Sequence, residues 1–519
     1  MCQPTNMFDR SAGIILPLFS CASSESWGVG ELADIVPLSH WMRGAGLSIL
    51  QLLPLNEMAA GQQSPYSAMS AMAIDPVFIR VPDLEDFDAV GGEASLPAAD
   101  RAALADVRVA RTVDYSTVRR LKQIALEASF QRFVNAEWKQ NSARARALHT
   151  FVTAQAWWVE DYSVFRAIHA RENERPWTEW PEELQRRDPA AIDRVRRELA
   201  REVLYYQYLQ WVAAGQWHDA RRRARGVSVF GDLPFMVDTD SADVWSRQHQ
   251  FDLQVSIGAP PDAFSADGQN WGTPLYRWDV IARESFHWLR ERARRCADVF
   301  DGYRIDHVVG FYRTYGRPRD GAPAFFTPST EPEQITLGEQ IVTLFRDAGS
   351  HIIAEDLGTV PDFVRASLVR LGVPGLKVFR WERCWHDESQ PFIDPRTYPP
   401  ESVAVSGTHD TEPMMSWWEA ASEDEKQKVR DVVPGASAQA SCTAVRDALL
   451  ESLYESGSAM VLLPIQDVFG WRDRVNAPSI VADSNWVFKL PWTIDAMDQV
   501  PEAQERQTTL RTWATRHHR

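Results

Sequence analysis

The chain has 519 residues, 45% of them hydrophobic, and its 55 Lys and Arg against 71 Asp and Glu give a net charge of −16. That composition supports a large core and excludes a surface built for nucleic acid or an anionic membrane, both of which need clustered Lys and Arg. No run reaches the ~18 apolar residues of a membrane span.

The N-terminal stretch lacks a basic segment followed by an apolar one. The five cysteines show no CxxC or CxxH spacing, which speaks against a disulfide framework or a zinc site. The expected compartment is therefore the cytoplasm. The one basic cluster, Arg221 to Arg225, ends a helical segment and reads as a solvated face.

Taken in chain order, eight short apolar runs end in polar or acidic residues: Gly13–Leu16, Ser48–Leu53, Val227–Phe230, Gly302–Ile305, His351–Ala354, Leu376–Phe379, Val403–Ser406 and Ala459–Leu463. Continuous apolar runs are the mark of buried parallel strands. Amphipathic stretches such as Leu32–Arg43, Val280–Asp298 and Gln334–Asp347 separate them, as βα repetition requires. Eight such units predict an α/β protein built on a (β/α)₈ TIM barrel.

The gap between the second and third runs is far longer than the roughly 2–6 residues of a βα connection. It opens on a loop-like stretch rich in Ser, Pro, Asp and Glu. Helical periodicity then runs from about Val118 to Ala224, with Asp193/Arg197 and Glu198/Arg201 at pairing distance along a helix. The predicted organisation is residues 1–85 with strands one and two, 86–225 as a mainly helical insertion, and 226–519 with strands three to eight. The last part includes an active-site loop over 238–279. The 21 tryptophans are expected mostly in cores, Trp157-Trp158 and Trp417-Trp418 among them, although indole faces also stack on sugar rings.

Three of the runs lead into acidic motifs: Arg304-Ile305-Asp306-His307, Ala354-Glu355-Asp356-Leu357-Gly358 and Gly407-Thr408-His409-Asp410. Barrel active sites form at the C-terminal ends of strands. A carboxylate nucleophile beside a carboxylic proton donor is the equipment of glycosidic chemistry. Residues two apart on a strand share a face, so Arg304 is expected beside Asp306, lowering its pKa and keeping it ionised. The apolar Ile352-Ile353-Ala354 before Glu355 is expected to raise the pKa of that carboxyl, as a general acid requires. Each motif alone reads equally as a structural ion pair or a strand-end acid, and their joint placement favours catalysis.

Other chemistries find less support. Gly28-Val29-Gly30 lacks the third glycine of a dinucleotide loop. The pairs Asp306-His307 and His409-Asp410 could hold a metal, but Gly13 to Pro17 supplies no ligand side chain, so no metal is assigned. There is no GxSxG elbow.

With these motifs the chain resembles the α-amylase clan of retaining α-glycosidases, and more closely the 4-α-glucanotransferases of glycoside hydrolase family 77, the amylomaltases or disproportionating enzymes. Ser64-Pro65-Tyr66-Ser67, Gly231-Asp232-Leu233-Pro234, Gln269-Asn270-Trp271-Gly272 and the three acidic motifs carry the resemblance, which runs from about residue 12 to about residue 492. It implies transfer of α-1,4-glucan segments between maltooligosaccharides, with glucose as acceptor or product, no cofactor, and a place in maltose, glycogen or starch metabolism.

By position it implies Asp306 as nucleophile, Glu355 as acid/base and Asp410 as transition-state stabiliser. Arg304, His307, Asp356 and His409 would surround the sugar at the cleavage point. Ser64, Tyr66, Asp232, Gln269, Trp271 and Asn476 would bind substrate. The segment Pro261 to Gln269, with Phe264, would lean over the site. Arg380-Trp381-Glu382-Arg383 and Thr411-Glu412-Pro413 depart from the family's common wording and bear on acceptor preference. A hydrolase of the same clan and a catalytically silent glucan-binding homologue are the alternatives. Against the hydrolase, no segment after the eighth run is long enough for a C-terminal β-domain.

Overall fold

Parallel pairing joins all eight predicted runs into one closed ring in the computed structural model, which describes residues 10–59, 61–261, 268–478, 480 and 482–519. The barrel strands are Ser11–Ile15, Ile49–Gln51, Ser228–Leu233, Gly302–Ile305, His351–Ala354, Gly375–Val378, Ser402–Val405 and Met460–Pro464. The fourth and fifth match their predicted bounds, and the others shift at their ends, where hydropathy is a weak guide.

Alternation along each strand separates two layers. Ile15, Ile49, Phe230, Ile353, Leu376, Val403 and Met460 fill the barrel interior. Tyr303, Ile305, Ile352 and Ala354 face the surrounding helices. Gly302 must lack a side chain, because a Cβ there would stand 2.6 Å from the Phe230 ring. In the strand-four register Arg304 sits opposite Asp232 on one side and Ile353 on the other.

Between the second and third strands lie the helices Tyr115–Ala136, Ala143–Ala154, Ala156–Arg171, Pro189–Glu198 and Ala200–Arg223. Asp114, Ser142 and Asp188 cap three of them with side-chain acceptors. The loop-like stretch ahead of them also holds a helix, Ala98–Val109, whose buried Leu104 and Val107 make too thin an apolar stripe to read from sequence. The expected pairing of Glu198 with Arg201 fails because the helix breaks at Leu199; Arg194 reaches Glu198 at 3.9 Å instead. The Val280–Asp298 helix is likewise two helices, Trp278–Arg283 and His287–Val299, separated by the left-handed residues Ser285 and Phe286.

Segment 238–279 is more than a loop. Its strands Phe251–Ala259 and Gln269–Tyr276 join Thr314–Pro318 and Phe325–Thr327 in a four-stranded antiparallel sheet beside the barrel mouth. Residues 262–267, including Phe264, lie outside the described residues. The Trp157-Trp158 and Trp417-Trp418 pairs pack edge to face, with Trp158, Trp417 and Trp418 buried. Just past the C-terminal helix Pro501–Arg516, Arg519 donates to the backbone oxygens of Tyr454, Ser458 and Ala459.

Candidate active site

The third, fourth, fifth and seventh strands deliver acidic side chains to one rim. Arg304, buried on the strand-four inner face, holds three of them. Its Nη1 donates to Asp232 Oδ2 at 2.6 Å, and its Nη2 lies 2.9 Å from Asp306 Oδ1 and 2.7 Å from Glu355 Oε2. A nitrogen shared between Asp306 and Glu355 holds the two carboxyl groups close together, the arrangement of retaining glycosidases, in which no water has to fit between them. The Asp306 and Glu355 side chains remain 18% and 21% exposed, so both can be reached from the barrel mouth.

Main-chain bonds fix the pair. Asp306 N donates to Leu233 O, Glu355 N to Ile305 O, and His307 N to Glu355 Oε2 at 2.8 Å. Sharing the Arg304 Nη2 donor, each of the two carboxylates feels the charge on the other. Burial raises Asp306 well above the usual carboxylate range and Glu355 raises it further, against the pull of Arg304. Burial also acts to raise Glu355, but Arg304 and the His307 amide outweigh it and hold Glu355 below its ordinary value. This order reverses the sequence-based expectation. The physical reason is that Arg304 serves both acids and lies nearer Glu355, which also gains the His307 amide, a contact that strand spacing does not reveal.

Asp410 follows the seventh strand. Asn476 Nδ2 donates to Asp410 Oδ1 at 2.7 Å, and His409 Nε2 stands 3.3 Å from Oδ2. Burial acts to raise the Asp410 pKa, but His409 and Asn476 hold it well below its usual range. His409 stacks on Tyr66 with centroids 5.3 Å apart, and Tyr66 OH donates to Asp232 Oδ2 at 2.8 Å. Trp271 stands edge-on to His307 at 4.9 Å, its indole nitrogen bonded to Gln269 Oε1 at 2.9 Å.

Two expected residues are placed differently. The Leu376 amide donates to Asp356 Oδ1 at 2.9 Å and Arg365 stands 3.7 Å from Oδ2, so Asp356 braces the start of strand six. Ser64 shapes the turn before Tyr66, accepting from the Tyr66 and Ser67 amides. Three functional neighbours escaped the sequence reading. Trp486 closes an aromatic triangle with Tyr66 and His409, Arg474 donates to Asp410 O, and buried Asp467 accepts from Ser406 Oγ and Met414 N on either side of the Asp410 turn. None stands in a local motif.

A family model described as 4-alpha-glucanotransferase matches residues 16–495. The 4-alpha-glucanotransferase of Chlamydia pneumoniae is 30% identical over 492 residues, 92% of this chain and 91% of that protein. That of Thermus thermophilus is 32% identical over 479 residues, 89% of this chain and 92% of that protein. Among solved structures, amylomaltase from Streptococcus agalactiae in complex with acarbose aligns with a TM-score of 0.84 at 25% identity, covering 98% of this chain and 100% of that one. With a family match covering seven of the eight barrel strands, the insertions and all three acidic motifs, this chain belongs to the 4-alpha-glucanotransferase family, glycoside hydrolase family 77.

Proposed function

We propose that the protein transfers α-1,4-glucan segments between maltooligosaccharides by a retaining double displacement, with Asp306 as nucleophile and Glu355 as acid/base. The observation that carries this is Arg304 bridging the two carboxylates at adjacent strand ends. The pair carries one proton. A glycosidic oxygen entering beside Glu355 draws that proton to it and leaves Asp306 ionised against Arg304. Asp306 then bonds to the anomeric carbon as the C–O bond breaks, and the departing oxygen takes the proton from Glu355. In the second half an acceptor 4-hydroxyl gives its proton to Glu355 while its oxygen displaces Asp306. Asp410, held ionised, stabilises positive charge at the anomeric carbon. Tyr66, Asp232, Trp271, His307, His409 and Asn476 shape the sugar-binding surface, and Gln269 orients Trp271.

The setting proposed is metabolism of maltose, glycogen or starch in the cytoplasm, a compartment supported by Cys21, Cys296, Cys384 and Cys442 forming no disulfide among the described residues. Incubation with maltotriose alone tests the reaction. A ladder of longer maltooligosaccharides plus glucose is expected. Glucose and maltose alone would mean hydrolysis, and no change a silent binding protein.

A further inference from the structure

His169 lies on the insertion helix Ala156–Arg171, is 1% exposed, and takes no part in the chemistry described above. Its Nδ1 is 2.9 Å from Glu174 Oε2 and its Nε2 is 2.9 Å from Asp240 Oδ2. Ionised carboxylates only accept, and a neutral imidazole has one N–H, so only an imidazolium satisfies both contacts. The other charged neighbour is Arg166, whose Nη1 lies 3.5 Å from Nδ1 and 3.3 Å from Glu174, and which is itself tied to buried Glu57. Phe165 and Trp180 pack against the ring.

Asp240 joins the helical insertion to the small sheet. Its Oδ1 accepts from Trp177 N at 3.0 Å, and the Trp177 indole donates to Thr239 O at 2.7 Å. On the far side Thr239 Oγ1 donates to Gly272 O at 3.2 Å. Gly272 follows Trp271, which stands against His307, the residue whose amide holds Glu355. The insertion is thus tied to the site wall at Thr239 and Asp240, with further ties at Trp245 and Gln248, and the imidazolium is the one of these contacts that titrates.

We propose that His169, as an imidazolium between Glu174 and Asp240, is a positioning residue for Trp271 and so for donor binding. The proposal rests on the transferase reading above. Burial opposes the charge on His169, but Asp240 and Glu174 raise its pKa above the ordinary 6.5, and the Glu174 carboxyl is correspondingly pushed down to about 2. The imidazolium contact therefore holds below the folded-state value and is lost as pH rises through it. One of the two carboxylates then loses its donor, and the wall carrying Trp271 loosens.

The test uses α-maltotriosyl fluoride, whose departing atom needs no protonation, so that titration of the Asp306/Glu355 pair does not mask the effect. KM for fluoride release is measured from about pH 5 to 9. In the wild-type chain KM should rise about three- to tenfold on the alkaline side with kcat little changed, the size of one lost hydrogen bond. In His169→Gln KM should be high throughout. In Asp240→Asn, which keeps the acceptor for the Trp177 amide and turns an N–H toward His169 Nε2, a neutral imidazole satisfies both neighbours, so the alkaline rise should disappear. If His169→Gln does not fold, Asp240→Asn decides alone. A wild-type KM that is flat with pH, or a rise that persists in Asp240→Asn, overturns the role of His169. Absence of a ladder from maltotriose in the wild-type chain instead overturns the transferase reading.

Discussion

The His307 amide donates to Glu355 Oε2 across 2.8 Å from a left-handed backbone, φ +47°. A non-glycine residue in that conformation costs about 1–3 kcal/mol and persists only where its surroundings dictate it. Here the turn after strand four is wound so that its N–H points at the acid on strand five. Glu355 is thereby fixed from two directions, by this amide and by Arg304, and cannot swing away from Asp306.

Asp306→Asn should abolish turnover of maltotriose while leaving glucan binding and the far-UV spectrum intact. An amide keeps the shape of the side chain and can face Arg304, but it cannot form the covalent ester. The loss should exceed about a thousandfold in kcat, and a rate within about tenfold of wild type would remove Asp306 from the nucleophile's role.

A carboxylate pair that works with one proton has a two-sided pH profile. Below the lowered pKa at Glu355 both acids are protonated, and above the raised value at Asp306 both are ionised. The kcat for maltotriose should therefore fall on both sides, with its alkaline limb above the usual carboxylate range, whereas kcat for α-maltotriosyl fluoride should keep only the acid limb. Glu355→Gln should nearly stop maltotriose cleavage yet still allow glycosylation from the fluoride, read as the first turnover of fluoride release, since only the second half then lacks its base. Equal loss with both donors would show that Glu355 is not the proton donor.

Strands four and five were readable because their apolar runs stop abruptly at a carboxylate. The small sheet was equally encoded: Phe251, Leu253, Val255 and Ile257 alternate with Asp252, Gln254 and Ser256. A period of two over these seven residues is a strand signal, but it lies inside a connection expected to be a loop. Asp467 and Trp486 are different. They reach the site from after strand eight, through contacts with residues 53 to 420 positions away in the chain, and no local pattern announces them. The proton order within the Asp306/Glu355 pair was hidden for the same reason, since it depends on which carboxylate lies nearer one guanidinium.

Asp467 should matter through placement alone. Its carboxylate, 1% exposed, accepts from Ser406 Oγ at 2.5 Å and Met414 N at 2.6 Å, bracketing the turn that carries His409 and Asp410. Asp467→Ala leaves both donors buried and unpaired, at about 1–3 kcal/mol each. The expected result is a lower melting temperature and a kcat reduced by about tenfold or more. An unchanged kcat in the folded variant would show that the turn holds its shape without Asp467.

Tyr66 joins the two halves of the site, and removing its hydroxyl separates those contributions. The hydroxyl donates to Asp232 Oδ2, which also accepts from Arg304, while Oδ1 is buried with no protein partner. The ring stacks on His409 and leans on Trp486. Tyr66→Phe keeps the stack and takes one donor from a buried carboxylate. A hydrogen bond to a charged group contributes about 1.5–3 kcal/mol, so kcat/KM should fall by ~10- to ~150-fold. Tyr66→Ala also unseats His409, which faces Asp410 Oδ2, and should cost more again, chiefly in kcat, because Asp410 then loses the neighbour that keeps it ionised. A double-mutant cycle of Tyr66→Phe with Asp232→Asn isolates the pair. If the two substitutions are additive, the hydroxyl acts on the sugar directly and not through Asp232; a coupling of about 1 kcal/mol or more assigns it to holding Asp232, and through Asp232 the Arg304 fork that spans Asp306 and Glu355.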